Sequence, residues 1–364
     1  MMRQELKSNT IWVLGDSWFP TETGTSLGKA IQVLTQFLQG EPVIFNFESS
    51  CQVVGEGPRP RGLVSDPSLA TQFMESVGAV AVLTANNHTL DSGKRGFEGL
   101  EQCAKRGLRV SLVGRREPSL FWSRIVAPNG LRISVGGAAW GGTAARNPFI
   151  YTFWFPSELC RLVNEERRVA DRVILLLHWG YEQELFPLPA QRIWANLLGV
   201  AGADLIVGTH PHVPQGIEKL GNTVVAYSVG NCVFPLTGPT AYLSGVTKQH
   251  LALRVDFSST GSMRVDPVAI VTDAVGLPVG FTDGNDLVGH LSQHFGLDVE
   301  EYNKRYLRIR RSHLLPVFSG SKWDAIRPAA WVGLNTGIHV AARLGMRKVA
   351  RRLIRRGEGL NGTQ

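Results

Sequence analysis

Asp16, Glu48, Asn87, His178, His210 and His212 are the residues through which this chain of 364 amino acids can do chemistry. They offer carboxylate, amide and imidazole donors with no thiol among them. That set suits a hard or borderline divalent cation: Mn, Fe, Zn or Mg. Their placement is regular. Gly15-Asp16 follows the apolar run 11–14, Glu48 closes 43–47, and Asn86-Asn87-His88 follows 80–83. His178 follows 173–177, and His210-Pro211-His212 follows 204–207. Four of the nine histidines fall at such positions, which random scatter rarely produces. The His-Pro-His unit also carries geometry. A residue before proline is pushed to extended backbone, and residues i and i+2 of an extended chain share a side. His210 and His212 are therefore expected to be extended and to enter one site. Singly, each residue has a plain reading: Asp16 as a cap or turn residue, Glu48 as a surface carboxylate, His178 as a satisfied core histidine. Jointly they favour metal.

The apolar runs are four or five residues long and rich in Val, Ile and Leu, the pattern of buried strands in a helix-covered sheet. Helical patterns lie between them at 26–39, 67–77, 92–106, 157–170 and 189–201, the last with Pro189 in its first turn and Gly202 at its end. Strand–helix alternation predicts an α/β sandwich. In such sheets the carboxyl ends of the strands share the edge where ligands bind. Further strands are expected at 131–136, 250–256 and 264–271, antiparallel. The texture changes after about 275. That predicts a main domain over 1–275 and a C-terminal region over 276–364 ending in a basic amphipathic helix at about 328–356. Net charge is +8, yet residues 301–364 alone carry 14 Lys/Arg against three acids.

Read in order, these pieces resemble the poly-γ-glutamate capsule-synthesis proteins called CapA, a branch of the calcineurin-like metallophosphoesterases. The matching residues are Gly15-Asp16, Asn46-Phe47-Glu48, Ala85-Asn86-Asn87-His88 with Asp91 and Gly93, and His178-Trp179-Gly180 with Glu182. Gln191, Gly202-Ala203-Asp204, His210-Pro211-His212-Val213 with Gln215 and Glu218, and Tyr227-Ser228-Val229-Gly230-Asn231 complete the series, over roughly residues 10–235. The resemblance implies a four-layer α/β/β/α metallophosphoesterase-like sandwich holding two divalent metal ions. Asp16 would bind one metal, Glu48 bridge both, Asn87 and His178 serve the second, and His210 and His212 go one to each. His88 would face the leaving group, with Glu182 orienting a ligand or contacting substrate. Asn86, Asp91, Arg146 and Asn231 are the expected substrate contacts. The implied reaction is hydrolysis or transfer at a phosphoester or a γ-glutamyl-type amide of a capsule or cell-surface polymer. The chain departs from the family at Asp16-Ser17-Trp18, where D-x-H or D-x-N is usual, which puts one metal ligand in doubt. That departure keeps a second reading open, a catalytically silent scaffold in a membrane-associated complex.

Composition bounds the rest. No apolar run reaches 18 residues, and the first ten residues lack a signal peptide's apolar core, so the expected place is the cytoplasm. The basic segment 328–356 suits an anionic membrane surface, a protein partner or its own domain. Nucleic acid is not an expected partner, because no aromatic-basic platform is present. The four cysteines are scattered and expected to be free thiols. Substrate pockets are expected from loops 140–156 and 232–246. The first carries many aromatics and Arg146, which would grip an anionic or ring-bearing substrate unless the loop simply packs on itself.

Overall fold

The computed structural model describes residues 4–313 except 22–23, 53–61, 106–109, 118–120, 145–147, 244–246 and 259. The segment 328–356 and Arg146 lie outside the described residues. The chain opens with β1 (Gln4–Glu5), β2 (Thr10–Ser17), α1 (Gly24–Leu38), β3 (Val43–Phe47), β4 (Ser50–Cys51) and β5 (Val64–Ser65). Next come α2 (Pro67–Ser76), β6 (Ala79–Leu83), α3 (Gly93–Lys105), β7 (Ser111–Val113), β8 (Trp122–Val126) and β9 (Arg132–Trp140). Then follow α4 (Gly141–Ala144), β10 (Thr152–Phe153), α5 (Ser157–Glu166), β11 (Arg172–His178), α6 (Pro189–Ala201) and β12 (Leu205–Thr209). The described part closes with β13 (Ile217–Leu220), β14 (Thr223–Ala226), β15 (Gln249–Phe257), β16 (Met263–Thr272), β17 (Pro278–Asp283), α7 (Asn285–Ser292) and α8 (Val299–His313).

Two sheets face each other. One runs β17-β16-β15-β2-β3-β6-β7 and the other β1-β8-β9-β11-β12-β14-β13, with β10 beside β9. Alternation along the strands explains the layering. Ile11, Val13 and Ile44 of the first sheet share a buried cluster with Val135, Ile174, Leu176 and Val207 of the second. The opposite faces of the first sheet, through Trp12, Leu14, Phe45 and Phe47, pack on Leu27, Ile31 and Leu34 of α1, Phe73 of α2 and Leu100 of α3. On the outside of the second sheet, Glu166 of α5 is buried, takes the Arg124 guanidinium of β8 at 2.7 and 2.8 Å, and accepts Ser134 Oγ of β9 at 2.6 Å. The result is an α/β/β/α sandwich, as expected.

One expectation needs correction. β9 is antiparallel to β8 but parallel to β11 and β10, because it sits inside the second sheet rather than at an antiparallel edge. The division expected after 275 falls within the β16–β17 hairpin, whose strands pair antiparallel. The compact unit that contains both sheets comprises Met1–Pro187 and Ala195–His294. A second unit comprises Leu188–Trp194 and, among the described residues, the chain from Phe295 to His313. Within it, Gln191 Oε1 accepts the Leu188 N–H at 2.8 Å, which satisfies a free amide where α6 begins. The Arg192 guanidinium lies over the rings of Phe295 and Tyr302 at 5.2 and 4.5 Å. Among the described residues, no helix is long and apolar enough to cross a membrane.

Candidate metal centre

Strict alternation in β2 would put Asp16 on the helix side with Trp12 and Leu14. A bulge prevents this. Val13 pairs with Ile44 and Asp16 with Asn46, three residues of advance against two. Such a bulge re-aims the side chain that follows it. Gly15 makes the turn possible by close approach: a Cβ there would lie 1.9 Å from the Gly230 carbonyl oxygen. The Asp16 N–H donates to that oxygen at 3.0 Å, and Asp16 forms a bridge with Asn231. The two sheets are thus stitched together at the base of the centre.

The centre is built around Glu48, which is fully buried and whose two oxygens accept no hydrogen bond. His178 Nε2 lies 3.4 Å and His212 Nε2 3.7 Å from its Oε1. Donor atoms of Asp16, Glu48 and His178 fall within 4.8 Å of one another, and so do those of Glu48, His210 and His212. Glu48 is common to both groups. The resemblance divides His210 and His212 between two metals; the donor atoms bring those two together. Asn87 Oδ1 stands 2.7 Å from His178 Nε2.

Burial, then the neighbouring Asp16 carboxylate, pushes the Glu48 carboxyl well above its usual range. Burial also raises Asp16, against the pull of His212 and of the Asn46 amide. Burial and the neighbouring imidazoles hold His178 and His210 well below the usual histidine range. Neutral imidazole is the form that binds metal, and a desolvated carboxyl beside a second one, with no hydrogen-bond donor of its own, calls for a cation. His210 Nδ1 is a further buried atom without a hydrogen bond. The residues present therefore fit a divalent metal.

His210 and His212 reach this centre in a way the sequence did not suggest. Neither is extended: φ is +94° at His210 and +58° at His212. Left-handed backbone costs a non-glycine residue about 1–3 kcal/mol. The turn is held by the His210 N–H, which donates to Asp16 Oδ2 at 3.0 Å, and by the Gln183 N–H, which donates to the Pro211 carbonyl at 2.8 Å.

The expected substrate contacts sort differently. Asn86 is fully buried: its Nδ2 donates to the Phe47 carbonyl at 2.7 Å and its Oδ1 accepts the His88 N–H at 3.1 Å. It shapes the loop and is not open to substrate. Asp91 Oδ2 takes His88 Nδ1 at 2.6 Å and the Leu63 N–H at 2.6 Å, so it orients His88. Asn231 is buried and its Oδ1 accepts His212 Nδ1–H at 2.9 Å, which leaves Nε2 facing Glu48. Glu182 is half-buried at the rim, where its Oε2 accepts the Tyr242 hydroxyl at 2.8 Å. At the Ser17-Trp18 departure, Trp18 is a core residue: its Nε1 donates to the Val64 carbonyl at 2.9 Å and its ring packs on Phe234. It supplies no donor to a metal.

Asn46 was missed as a site residue. Its Nδ2 lies 2.6 Å from Asp16 Oδ1 and 3.2 Å from His178 Nδ1, linking residues of both sheets. A polar residue inside Val-Ile-Phe-Asn-Phe, two places before Glu48 and so on its face, was the available signal. His250 was missed too. It is buried, and its Nδ1 accepts the Asn231 N–H at 3.1 Å. Burial and His212 push its pKa down to about 3. A depressed histidine contributes stability that is present above its unfolded pKa of about 6.5 and lost as pH falls toward the folded value. Between pH 6.5 and 4, wild type is expected to lose about 1.4 kcal/mol per pH unit more than His250→Gln, read by urea unfolding at each pH. Equal slopes would show that the ring protonates freely in the folded chain.

The model of the family described as bacterial capsule synthesis protein PGA_cap matches residues 29–236, more than half of the chain. The chain belongs to this family. Two curated relatives, both named as CapA, share 29% identity with it. One, the PGA biosynthesis protein CapA of Bacillus subtilis (strain 168), aligns over 210 residues, 55% of this chain and 53% of the relative. The other, the capsule biosynthesis protein CapA of Bacillus anthracis, aligns over 192 residues, 49% and 46%. The chain thus spans about half the length of the curated relatives it matches. Among solved structures, the 5'-nucleotidase of Candida albicans SC5314 is similar at a TM-score of 0.40 and 11% identity, covering 85% of this chain and 58% of that one. The matched range 29–236 takes in every donor of the centre except Asp16, which lies just before it.

Proposed function

We propose that this member of the capsule-synthesis family is a metal-dependent hydrolase acting on a phosphoester in the making of a capsule or cell-surface polymer. The observation that carries the reading is the buried Glu48 carboxylate without a hydrogen-bond donor, shared by two groups of metal-binding side chains. Asp16, Glu48, Asn87, His178, His210 and His212 would hold one or two divalent ions. Bound there, a divalent ion supplies a Lewis acid for the reacting oxygens and lowers the pKa of water.

The rest falls to the chain's own groups. Asn46 holds Asp16 and His178 in place. Asn231 keeps the proton of His212 on Nδ1. Asp91 occupies Nδ1 of His88, so Nε2 is the atom that carries a proton to a leaving oxygen. His88 is about one quarter exposed and Asp91 less, so the pair stands at the mouth and not in the core.

The relatives' names favour a second substrate bond at the same centre, the γ-glutamyl amide of a poly-γ-glutamate chain. Turnover of an aryl phosphodiester and of a γ-glutamyl anilide, with metal analysis of the purified protein, separates the two. His88→Ala is expected to keep its metal and lose about 10²–10⁴ of kcat. Undiminished turnover in that variant would remove His88 from the reaction. Bound metal without turnover of either class would favour the scaffold reading, with residues 328–356 as the contact to membrane or partner.

A further inference from the structure

Beside the metal centre lies a strip of aromatic side chains that the reading above does not use. It begins at the end of β9. Trp140 meets Tyr181 edge-on at 5.6 Å and Trp154 edge-on at 6.4 Å. Tyr181 adjoins Glu182, and Glu182 accepts the hydroxyl of Tyr242. The strip is tied to the centre at two points. Gln183 donates its N–H to the carbonyl of Pro211, between the two histidines. The Glu182 carboxylate is also close enough to Glu48 to help raise its pKa, behind burial and Asp16.

The strip is built: Trp140 is its buried centre, and Trp154 and Tyr242 are its open members. A Cβ on Gly141 would lie 2.5 Å from the indole of Trp154, and one on Gly142 would lie 2.7 Å from the indole of Trp140. The glycine pair therefore gives two indoles room to lie against the backbone. Trp154 lies against the Gly141 backbone, yet the residue stays 41% exposed, and Tyr242 is 58% exposed. A large aromatic ring backed on one side and open on the other is a stacking platform.

Charge selects its occupant. Among the described residues, the strip itself carries the Glu182 carboxylate, which stands near enough to Glu48 to act on it, as Asp16 and Asp91 also do. A polyanionic glutamate chain laid on this rim would meet carboxylates. A neutral ring bearing hydroxyls would meet what it needs: a carboxylate to accept O–H, a phenol, and an indole face whose negative quadrupole attracts ring C–H groups. We infer that the strip Trp140–Trp154–Tyr181–Glu182–Tyr242 is a saccharide subsite, so that the bond presented to the centre is a phosphoester of a sugar. The inference rests on the hydrolase reading for its phosphate and on the strip alone for its sugar.

The test measures binding to the metal-loaded chain by ligand-observed NMR and calorimetry. The probes are glucose 1-phosphate, adenosine 5'-phosphate, inorganic phosphate, a γ-linked triglutamate and methyl α-glucopyranoside. Glucose 1-phosphate is expected to bind about tenfold more tightly than phosphate, and that ratio to fall toward one in Trp154→Ala and in Gly141→Ala, which displaces the indole. Methyl glucoside is expected to show saturation transfer that Trp154→Ala removes. A sugar phosphate no tighter than phosphate overturns the inference. So does a stronger gain for the adenine nucleotide or for triglutamate. If phosphate does not bind but methyl glucoside does, the hydrolase reading fails and the saccharide subsite stands. If phosphate binds and methyl glucoside gives no transfer, the hydrolase reading stands and the subsite fails.

Discussion

Glu48→Gln is expected to abolish metal uptake while making the metal-free chain less sensitive to alkali. The two effects share one cause. Glu48 is buried beside Asp16, and both carboxyls are held above their usual range, by burial first. A carboxyl whose folded pKa is raised contributes stability that is full below its unfolded pKa, about 4.3, and is lost as pH rises through the folded value. His178 and His210 are depressed by burial, so their contribution is present above about 6.5 and lost on acidification. Between those two values the slopes oppose each other. Above pH 6.5 the histidine contribution is complete and no longer changes with pH. In EDTA, wild type should therefore lose thermal stability, relative to Glu48→Gln, as pH rises from about 4.3 toward the raised value of Glu48. With metal restored, wild type should lose the slope, because the carboxylates are then paired with a cation. Loss of a shared ligand is expected to weaken metal binding by more than about 100-fold, beyond the 10–100-fold typical of an orienting partner. Metal retained in Glu48→Gln at wild-type affinity would rule out Glu48 as a ligand.

Gly15→Ala is expected to cost about 3 kcal/mol or more and to damage the centre at the same time. The new methyl would lie 1.9 Å from the Gly230 carbonyl oxygen, a backbone atom with no rotamer to change. Relief requires moving Gly230 and Asn231 away from β2. That breaks the Asp16 N–H bond to Gly230 and the Asp16–Asn231 bridge, and with them the partner that orients His212. Overpacking usually costs about 1–3 kcal/mol, and a backbone clash sits at the upper end. Gly289→Ala is the matched control. A Cβ there meets nothing within 4 Å and the residue is inside α7, so alanine should stabilise by up to about 1 kcal/mol. Urea unfolding of both variants, with metal titration of Gly15→Ala, checks the pair. A Gly15→Ala chain of unchanged stability would mean that the sheets are not locked at this point.

Much of the fold was legible because long buried strands have an unmistakable composition. The run Val-Ile-Leu-Leu-Leu became β11 and Val-Ile-Phe-Asn-Phe became β3. Short or partly exposed strands were not legible. β13, Ile-Glu-Lys-Leu, has no fully buried residue, and β7 spans three residues. Alternation gives them no signal, and their pairing is decided by neighbours far away in the chain. Residue types at the centre were legible; their directions were not. Asn46, Asn86 and Asn87 look equivalent in sequence. One links two ligands, one braces a loop, and one faces His178, according to hydrogen bonds that exist only after the sheets meet. The left-handed turn at His210 and the bulge before Asp16 are departures from local preference, imposed by tertiary hydrogen bonds that local rules do not contain.

The order of strands in the first sheet has a kinetic consequence. β2 lies between β3, its near neighbour in sequence, and β15, more than 230 residues downstream. During synthesis, that sheet stays open along one edge of β2 until β15 leaves the ribosome, well after Asp16, Glu48, His178, His210 and His212 have been made. Pairings so distant in sequence form slowly, and an unpaired strand edge invites association with other chains. Early metal capture by the donors already present would hold the halves together while that edge waits for its partner. The ion would then act first as an assembly factor for the nascent chain, with the yield of monomer rising when metal is supplied during translation rather than after it.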